Sequence, residues 1–101
     1  MDIREVSKMG LLDKVQFGLK IAKRGIIDNE EFGILQGLSI EAEQEGRLGK
    51  VMGYSVSDYA IASWYWLGNG GMFHLYYDEL DENRQFRVME LVKKEVYKEI
   101  D

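Results

Sequence analysis

The stretch Tyr59–Leu80, YAIASWYWLGNGGMFHLYYDEL, decides what the rest of the chain must pack against. It consists of two apolar, aromatic-rich runs separated by GNGG at positions 68–71. An Asn-Gly pair supplies the positive φ angles of a two-residue primed turn, so the pattern predicts a β-hairpin around Asn69-Gly70. Because side chains alternate across a strand, one face of this hairpin carries both tryptophans and Phe73, and it is predicted to be the core.

The opposite face of the predicted hairpin is also apolar, but tyrosine hydroxyls and one imidazole edge it. Its side chains form the candidate partner-binding surface: Tyr65, Leu67, Met72, His74 and Tyr76. Large exposed apolar patches mark interaction sites, and Tyr, Trp and Met are enriched at the centres of interfaces. We therefore expect this face to contact another protein or a second copy of the chain.

A second interpretation of the same stretch stays open. Ser57 can cap a helix that spans Asp58–Leu67, with Gly68 as the left-handed residue after the helix end. Only Met72–Asp78 would then be a strand in this part of the chain.

Two amphipathic helices are predicted at the start of the chain. The first spans Asp2–Arg24, places apolar residues at three- and four-residue steps along one face, and is predicted to stop at Gly25. The second begins at Asp28, which forms the capping-box pattern with Glu31, and continues until Gly46. Because the connection between them is short, the two helices are expected to form an antiparallel-like pair.

The remaining segments complete a predicted α+β fold. Arg47–Val56 is predicted to contain a short third strand, because a lone two-stranded hairpin is marginal in water. Asp81 is predicted to cap a final amphipathic helix, Glu82–Ile100. The expected architecture is two N-terminal helices, a small antiparallel sheet of about three strands with the hairpin around Asn69-Gly70, and a C-terminal helix. Residues 1–101 are expected to form a single globular domain.

Composition limits the classes of function. The 101 residues include no Cys, no Pro and one His, and the net charge is −5. The absence of Cys excludes disulfides, thiolate nucleophiles and Cys-ligated zinc. The negative charge argues against direct nucleic-acid binding, which depends on Lys and Arg. No apolar run approaches the ~20 residues of a membrane span, and the first residues lack the pattern of a signal peptide, so a cytoplasmic protein without membrane contact is expected.

The candidate catalytic motifs are weak. His74 is the one His, and its expected neighbours Tyr65 and Tyr76 do not complete a hydrolytic set. The acids of Asp78–Glu82 lack EF-hand spacing, and GYSVS at positions 53–57 lacks the final Gly of a nucleophile elbow. We therefore predict no enzyme activity, no cofactor and no metal site. The enzymatic alternative requires a pocket in which His74 meets Tyr or acidic side chains.

A second candidate surface is acidic. Asp28–Glu45 holds six acids and no Lys or Arg, and Glu41 and Glu45 lie one helical turn apart. Such a face is usually only solvated. The sharper alternative is that it docks on a basic nucleic-acid-binding groove of another protein, as small phage or mobile-element inhibitors of the anti-CRISPR or anti-restriction type do. The sequence thus predicts a non-enzymatic regulator or inhibitor that binds another protein, with a homodimer and this nucleic-acid mimicry as alternatives.

Overall fold

In the computed structural model, which describes residues 9–43 and 49–100, four α-helices surround a fifth. The helices are α1 (Leu11–Arg24), α2 (Asn29–Ser39), α3 (Val56–Trp66), α4 (Gly70–Tyr77) and α5 (Glu82–Lys94), followed by a 3-10 helix (Val96–Glu99). Two short strands, β1 (Lys50–Val51) and β2 (Tyr54–Ser55), precede the central helix α3. Most of the described chain is helical, and one small antiparallel sheet of two strands accompanies the helices, which fits the coarse α+β class.

The central helix α3 is covered on all sides. Every residue from Val56 to Trp64 is buried, and helices α1, α2, α4 and α5 all pack on it. Trp64 is 0% exposed, its ring meets Phe32 edge-on at 4.8 Å, and its indole N–H donates to Ser39 Oγ at 2.9 Å. Both the apolar area and the one polar atom of this tryptophan are therefore satisfied in the core.

The predicted hairpin around Asn69-Gly70 is wrong, because this stretch ends one helix and begins another. Gly68 adopts φ 77° just after α3, which is the left-handed conformation that glycine favours. The side chain of Asn69 accepts a hydrogen bond from Met72 N at 3.0 Å and thereby caps α4. The glycines and Asn that favour a tight β-turn thus serve here as a helix stop and a helix cap.

The alternative interpretation is confirmed for the first half of the stretch and wrong for the second. Helix α3 replaces the first predicted strand, but its N-cap is Ser55 rather than Ser57. Ser55 Oγ accepts from Asp58 N at 3.2 Å, while Ser55 N donates to the Asp58 carboxylate at 3.0 Å. Met72–Asp78, expected as a strand in both interpretations, lies mainly in helix α4.

The sheet of the described residues has two strands and not three. Lys50 pairs with Ser55 and Val51 with Tyr54, so the segment predicted as one strand folds into its own antiparallel pair. The turn is Met52-Gly53, and both residues have positive φ angles, 55° and 88°. Positive φ at both central positions is the requirement of a primed two-residue turn.

The N-terminal helices are partly as predicted. The capping box at Asp28 is confirmed, since Glu31 N donates to its side chain at 2.8 Å. The C-terminal stop of α1 at Gly25, with φ 80°, is confirmed as well. Helix α2 ends at Ser39, well before Gly46. The predicted positions of α1 before residue 9, and those of the second helix at 44–46, lie outside the described residues.

The predicted pairing of the two N-terminal helices is not confirmed, because each packs chiefly on α3. Their apolar faces therefore mainly cover the central helix. The cap of α5 at Asp81 is confirmed by a hydrogen bond from Arg84 N at 2.9 Å. That helix ends at Lys94, six residues before the predicted end, because Glu95 takes a left-handed conformation with φ 48°.

Candidate functional site

The five residues predicted to form one contact face are divided between α3, its C-cap and α4. Tyr65 is 50% exposed near the end of α3, and its ring lies 5.2 Å from that of Phe73. Three others are partly buried and pack against the core: Leu67, Met72 and Tyr76. The predicted hairpin that would have placed all five on one face is absent, because these residues lie on two helices and the turn between them.

His74 is exposed, and its side chain pairs with Asp78 at the C-terminal end of α4. Its Nδ1 lies 3.1 Å from a carboxylate oxygen of Asp78, and both side chains are 63% exposed. Its ring also contacts Phe73 and Tyr77, which lie on the same helix. His74 thus meets one acid and two aromatic rings, all within α4 or at its C-cap.

A groove of about 320 Å³ runs between the segment that follows α2 and helix α4. One wall is formed by residues 39–43 and the other by residues in 75–80. Ser57 and Ile61 of α3, both buried, lie at its base together with Arg84 of α5. At its edges, Ile40 is 72% exposed and Leu75 is 57% exposed.

The short helix α4 orients the second wall. Phe73 points into the core at 3% exposure and stacks on Tyr77 one turn later. Leu75, two positions after Phe73, projects from another side of the helix, whereas Tyr76, three positions after it, lies close to the Phe73 face and is partly buried. Both side chains line the groove, while Phe73 holds the helix to α3.

A buried ion-pair cluster lies beneath the first wall. Asp58, in the first turn of α3, is 0% exposed. One of its oxygens is 2.7 Å from Arg87 Nε, and the other is 3.3 Å from Arg84 Nη2. Arg84 Nη2 also donates to Ser57 Oγ at 3.1 Å. A buried carboxylate is tolerated only when it is paired and hydrogen-bonded in this way.

Glu43 joins this cluster to the groove wall. Its carboxylate lies 2.5 Å from Arg87 Nη2, 3.5 Å from Arg84 Nε and 3.6 Å from Lys50 Nζ. Burial alone would lower the pKa of Arg87, but the hydrogen bond and charge of Asp58, together with Glu43, outweigh burial and raise this pKa. The cluster therefore ties α3, α5, β1 and the segment after α2 together by charge.

Glu41, predicted to lie on an acidic surface, lines the same groove as Tyr76. Its Oε1 is 2.5 Å from Lys14 Nζ, whereas its Oε2 is buried and accepts no hydrogen bond from any described residue. It also lines a second cavity, of about 180 Å³. The structure thus brings together Glu41 and Tyr76, which the sequence assigned to separate surfaces. Glu45 lies outside the described residues.

Much of the charge expected on the acidic surface is neutralised within the chain. Glu31 forms an ion pair with Arg24, Glu41 is paired with Lys14, and Glu43 is engaged by three cations, as above. The partners come from elements that only the tertiary fold brings near. This surface is therefore less negative than the stretch of sequence suggests.

Sequence reasoning missed four residues of the site: Ile40, Asp58, Leu75 and Arg84. Asp58 carried a usable signal, because Ser-x-x-Asp at 55–58 is a capping pattern. Arg84 carried another, since Arg84 and Arg87 are three positions apart and so share a helix face. No local signal marks Ile40 or Leu75, whose exposure depends on what packs beside them.

The described part of the chain offers neither a metal site nor a membrane span. Within residues 9–43 and 49–100, no three or more His, Asp or Glu side chains are grouped so as to hold a metal ion. No helix in these ranges has both the length and the apolar character that a bilayer crossing demands.

Comparisons with protein-family models, with curated proteins and with solved structures each find no match to this chain. The function must therefore be argued from the groove, its charges and its exposed side chains.

Proposed function

We propose that this protein acts without catalysis, by binding another protein through the groove between the segment after α2 and α4. The observation that carries the proposal is the exposure of two large aliphatic side chains, Ile40 and Leu75, on opposite edges of one groove. A single exposed apolar residue is ordinary on a protein surface. Two that line the same concave surface, together with the partly buried Tyr76, match the apolar centre of an interface.

Burial of these two side chains favours binding, but it supplies less free energy than a micromolar complex requires. Burying their exposed parts would contribute about 2–4 kcal/mol together, at roughly 1.5–3 kcal/mol for a whole side chain. A micromolar complex requires about 8 kcal/mol net. The partner must therefore also contact the polar rim of the groove, which includes Glu41 and Glu79.

The ion-pair cluster supports a binding role because it holds one wall in place. Glu43 bridges cations from α5 and β1, so the segment after α2 is anchored at that end although it has no regular secondary structure. A preorganised wall lowers the ordering cost of association. The Cys-free composition suits a cytoplasmic location, which we include in the proposal.

The proposal is tested with a matched pair of variants. Leu75→Asp places a charge at the groove edge, and Leu12→Asp makes the same change on α1, at a residue of nearly equal exposure (55%) that does not line the groove. Tagged wild type and both variants are expressed in the cells that naturally make the protein, and co-purified proteins are quantified by mass spectrometry. We expect a partner that is recovered with wild type and Leu12→Asp but lost with Leu75→Asp. Equal recovery with all three chains would contradict the proposal.

A second copy of the chain is the alternative partner. Size-exclusion chromatography with light scattering measures the mass of wild type and of Leu75→Asp at several concentrations. A wild-type dimer that becomes monomeric in Leu75→Asp would assign the groove to self-association. A monomer for both chains leaves the groove for a different protein.

The other candidate is an acidic inhibitor that blocks a basic nucleic-acid-binding groove. The feature that favours it is the cluster of exposed acids between α4 and α5: Asp78, Glu79, Asp81 and Glu82. The neutralised glutamates after α2 offer it less support. Competition between this protein and DNA for a purified partner would distinguish it from simple protein binding.

A further inference from the structure

We infer that the segment that docks in the groove is basic and amphipathic, with Lys or Arg next to a large apolar side chain. This inference rests on the proposed function and specifies the chemistry of the partner. It follows from an uneven distribution of charge between the two walls of the groove.

The charges of the first wall and the groove base are already compensated within the chain. Glu43 is engaged by Lys50, Arg84 and Arg87, and the latter two also hold the buried carboxylate of Asp58. Three cations thus face two carboxylates, so this cluster has no negative charge to offer. An acidic partner would gain little from Arg84, because its guanidinium is already shared between two carboxylates.

The second wall carries negative charge without matching cations. Glu79 lines the groove and forms no ion pair with any described residue. Three more acids lie within three positions of Glu79. Among the described residues, the carboxylate of Asp78 pairs only with His74. The side chains of Asp81 and Glu82 pair with no Lys or Arg in the described ranges. A neutral or acidic segment brought against this wall would desolvate or repel these charges, whereas a cation would compensate them.

The apolar and acidic features lie side by side in the groove. Leu75 and Leu80, with Glu79 between them in sequence, belong to the same wall. Across the groove, Ile40 adds an apolar contact, whereas Glu41 is already paired with Lys14. A Lys or Arg side chain suits this arrangement because its aliphatic stem packs on apolar surface while its charged end reaches a carboxylate.

A phage-displayed library of random 12-residue peptides tests the inference. Immobilised wild type is the target, and Leu75→Asp is used to remove peptides that bind elsewhere. Selected peptides are synthesised, and their affinities are measured by fluorescence anisotropy at 50 and 300 mM salt. We expect peptides that combine Lys or Arg with large apolar residues and that bind more weakly at the higher salt concentration.

Two charge reversals provide the matched comparison. Glu79→Lys places a cation in the groove wall, and Glu99→Lys makes the same change in net charge on the 3-10 helix, at an exposed residue that does not line the groove. We expect Glu79→Lys to weaken binding of the selected peptides by about tenfold, because one attraction becomes a repulsion, and Glu99→Lys to change it less than about twofold.

The possible results separate this inference from the proposed function. Selected peptides that lack basic residues, or that bind Glu79→Lys as well as wild type, would overturn the charge inference and leave the groove as a docking site. Peptides that bind wild type but are all removed by the Leu75→Asp step would overturn the groove itself. A library that yields no binder would overturn docking of a linear segment, and the co-purification experiment then decides separately whether a folded partner uses the groove.

Discussion

Replacing the buried Asp58 by Asn should destabilise the protein by about 3 kcal/mol. Loss of one partner of a buried ion pair typically costs about 3–5 kcal/mol, and the lower end applies because the amide retains part of the hydrogen bonding. The carboxylate is 0% exposed and faces Arg84 and Arg87 at 3.3 and 2.7 Å. The amide has the same shape but no charge, so both guanidinium groups would rely on Glu43 alone.

Urea unfolding followed by tryptophan fluorescence measures this loss, because Trp64 is completely buried in the folded state. With a slope of roughly 1–3 kcal/mol per molar urea, the unfolding midpoint should fall by about 1–3 M. Asp78→Asn is the control: it makes the same chemical change where the side chain is 63% exposed, and it should alter stability by less than about 0.5 kcal/mol.

A double-mutant cycle that combines Asp58→Asn with Arg87→Gln measures the interaction energy between Asp58 and Arg87. Because Asp58 and Arg87 are in direct contact, their combined effect should be smaller than the sum of the single effects by at least about 1 kcal/mol. The reasoning would be refuted by an Asp58→Asn protein within 0.5 kcal/mol of wild type, on the order of a surface change, or by strictly additive effects.

Three further variants probe the packing around α3. Gly18→Ala should lower the free energy of unfolding in urea by about 1 kcal/mol net, because its new Cβ would lie 2.8 Å from Ser63 Oγ. This overpacking costs more than the gain in helix propensity. Adding Ser63→Ala should restore stability, and failure of that rescue would contradict the clash. Gly33→Ala meets no atom within 4 Å and should stabilise the protein by up to about 1 kcal/mol, as thermal unfolding would report. Burial raises the pKa of Tyr59 to about 12, and its hydroxyl donates to Val51 O at 2.8 Å. The pKa of Tyr59 in the folded protein lies above its unfolded value of about 10, so the contribution of Tyr59 to stability is complete below pH 10 and is lost as pH rises toward 12. Between pH 8 and 11 the free energy of unfolding of wild type should fall by about 1.4 kcal/mol more than that of Tyr59→Phe. Parallel losses in the two proteins would contradict this assignment.

Helix ends were the most predictable part of the fold. Asp28 and Asp81 were recognised as N-caps and Gly25 as a C-terminal stop, and the structure confirms all three. A cap acts through hydrogen bonds to backbone groups two or three residues away, so the necessary residues are adjacent in the sequence. The end of α5 was missed, because the left-handed turn at Glu95 uses a residue that carries no such signal.

The choice between strand and helix for Tyr59–Leu80 required the tertiary structure. The spacing of apolar residues reveals secondary structure when one face of an element is buried and the other is exposed to solvent. Helix α3 has no solvent-exposed face over most of its length, because Val56 to Trp64 are all buried under four other helices. Its apolar residues consequently show neither a helical nor a strand period, and the local GNGG signal for a turn was the stronger one.

The candidate site depended still more on the fold. From its amino acids alone the chain determined its helix caps, its excess of negative charge and the absence of thiol chemistry, because these are properties of neighbouring residues or of simple counts. Tertiary structure alone decided that Ile40 and Leu75 would share a groove, that Asp58 would be buried against two arginines, and that Glu41 and Glu43 would be neutralised while Glu79 would not. The reason is that burial and the screening of charge depend on which distant segments pack together, and hydrogen-bonding patterns within a few residues do not encode that arrangement.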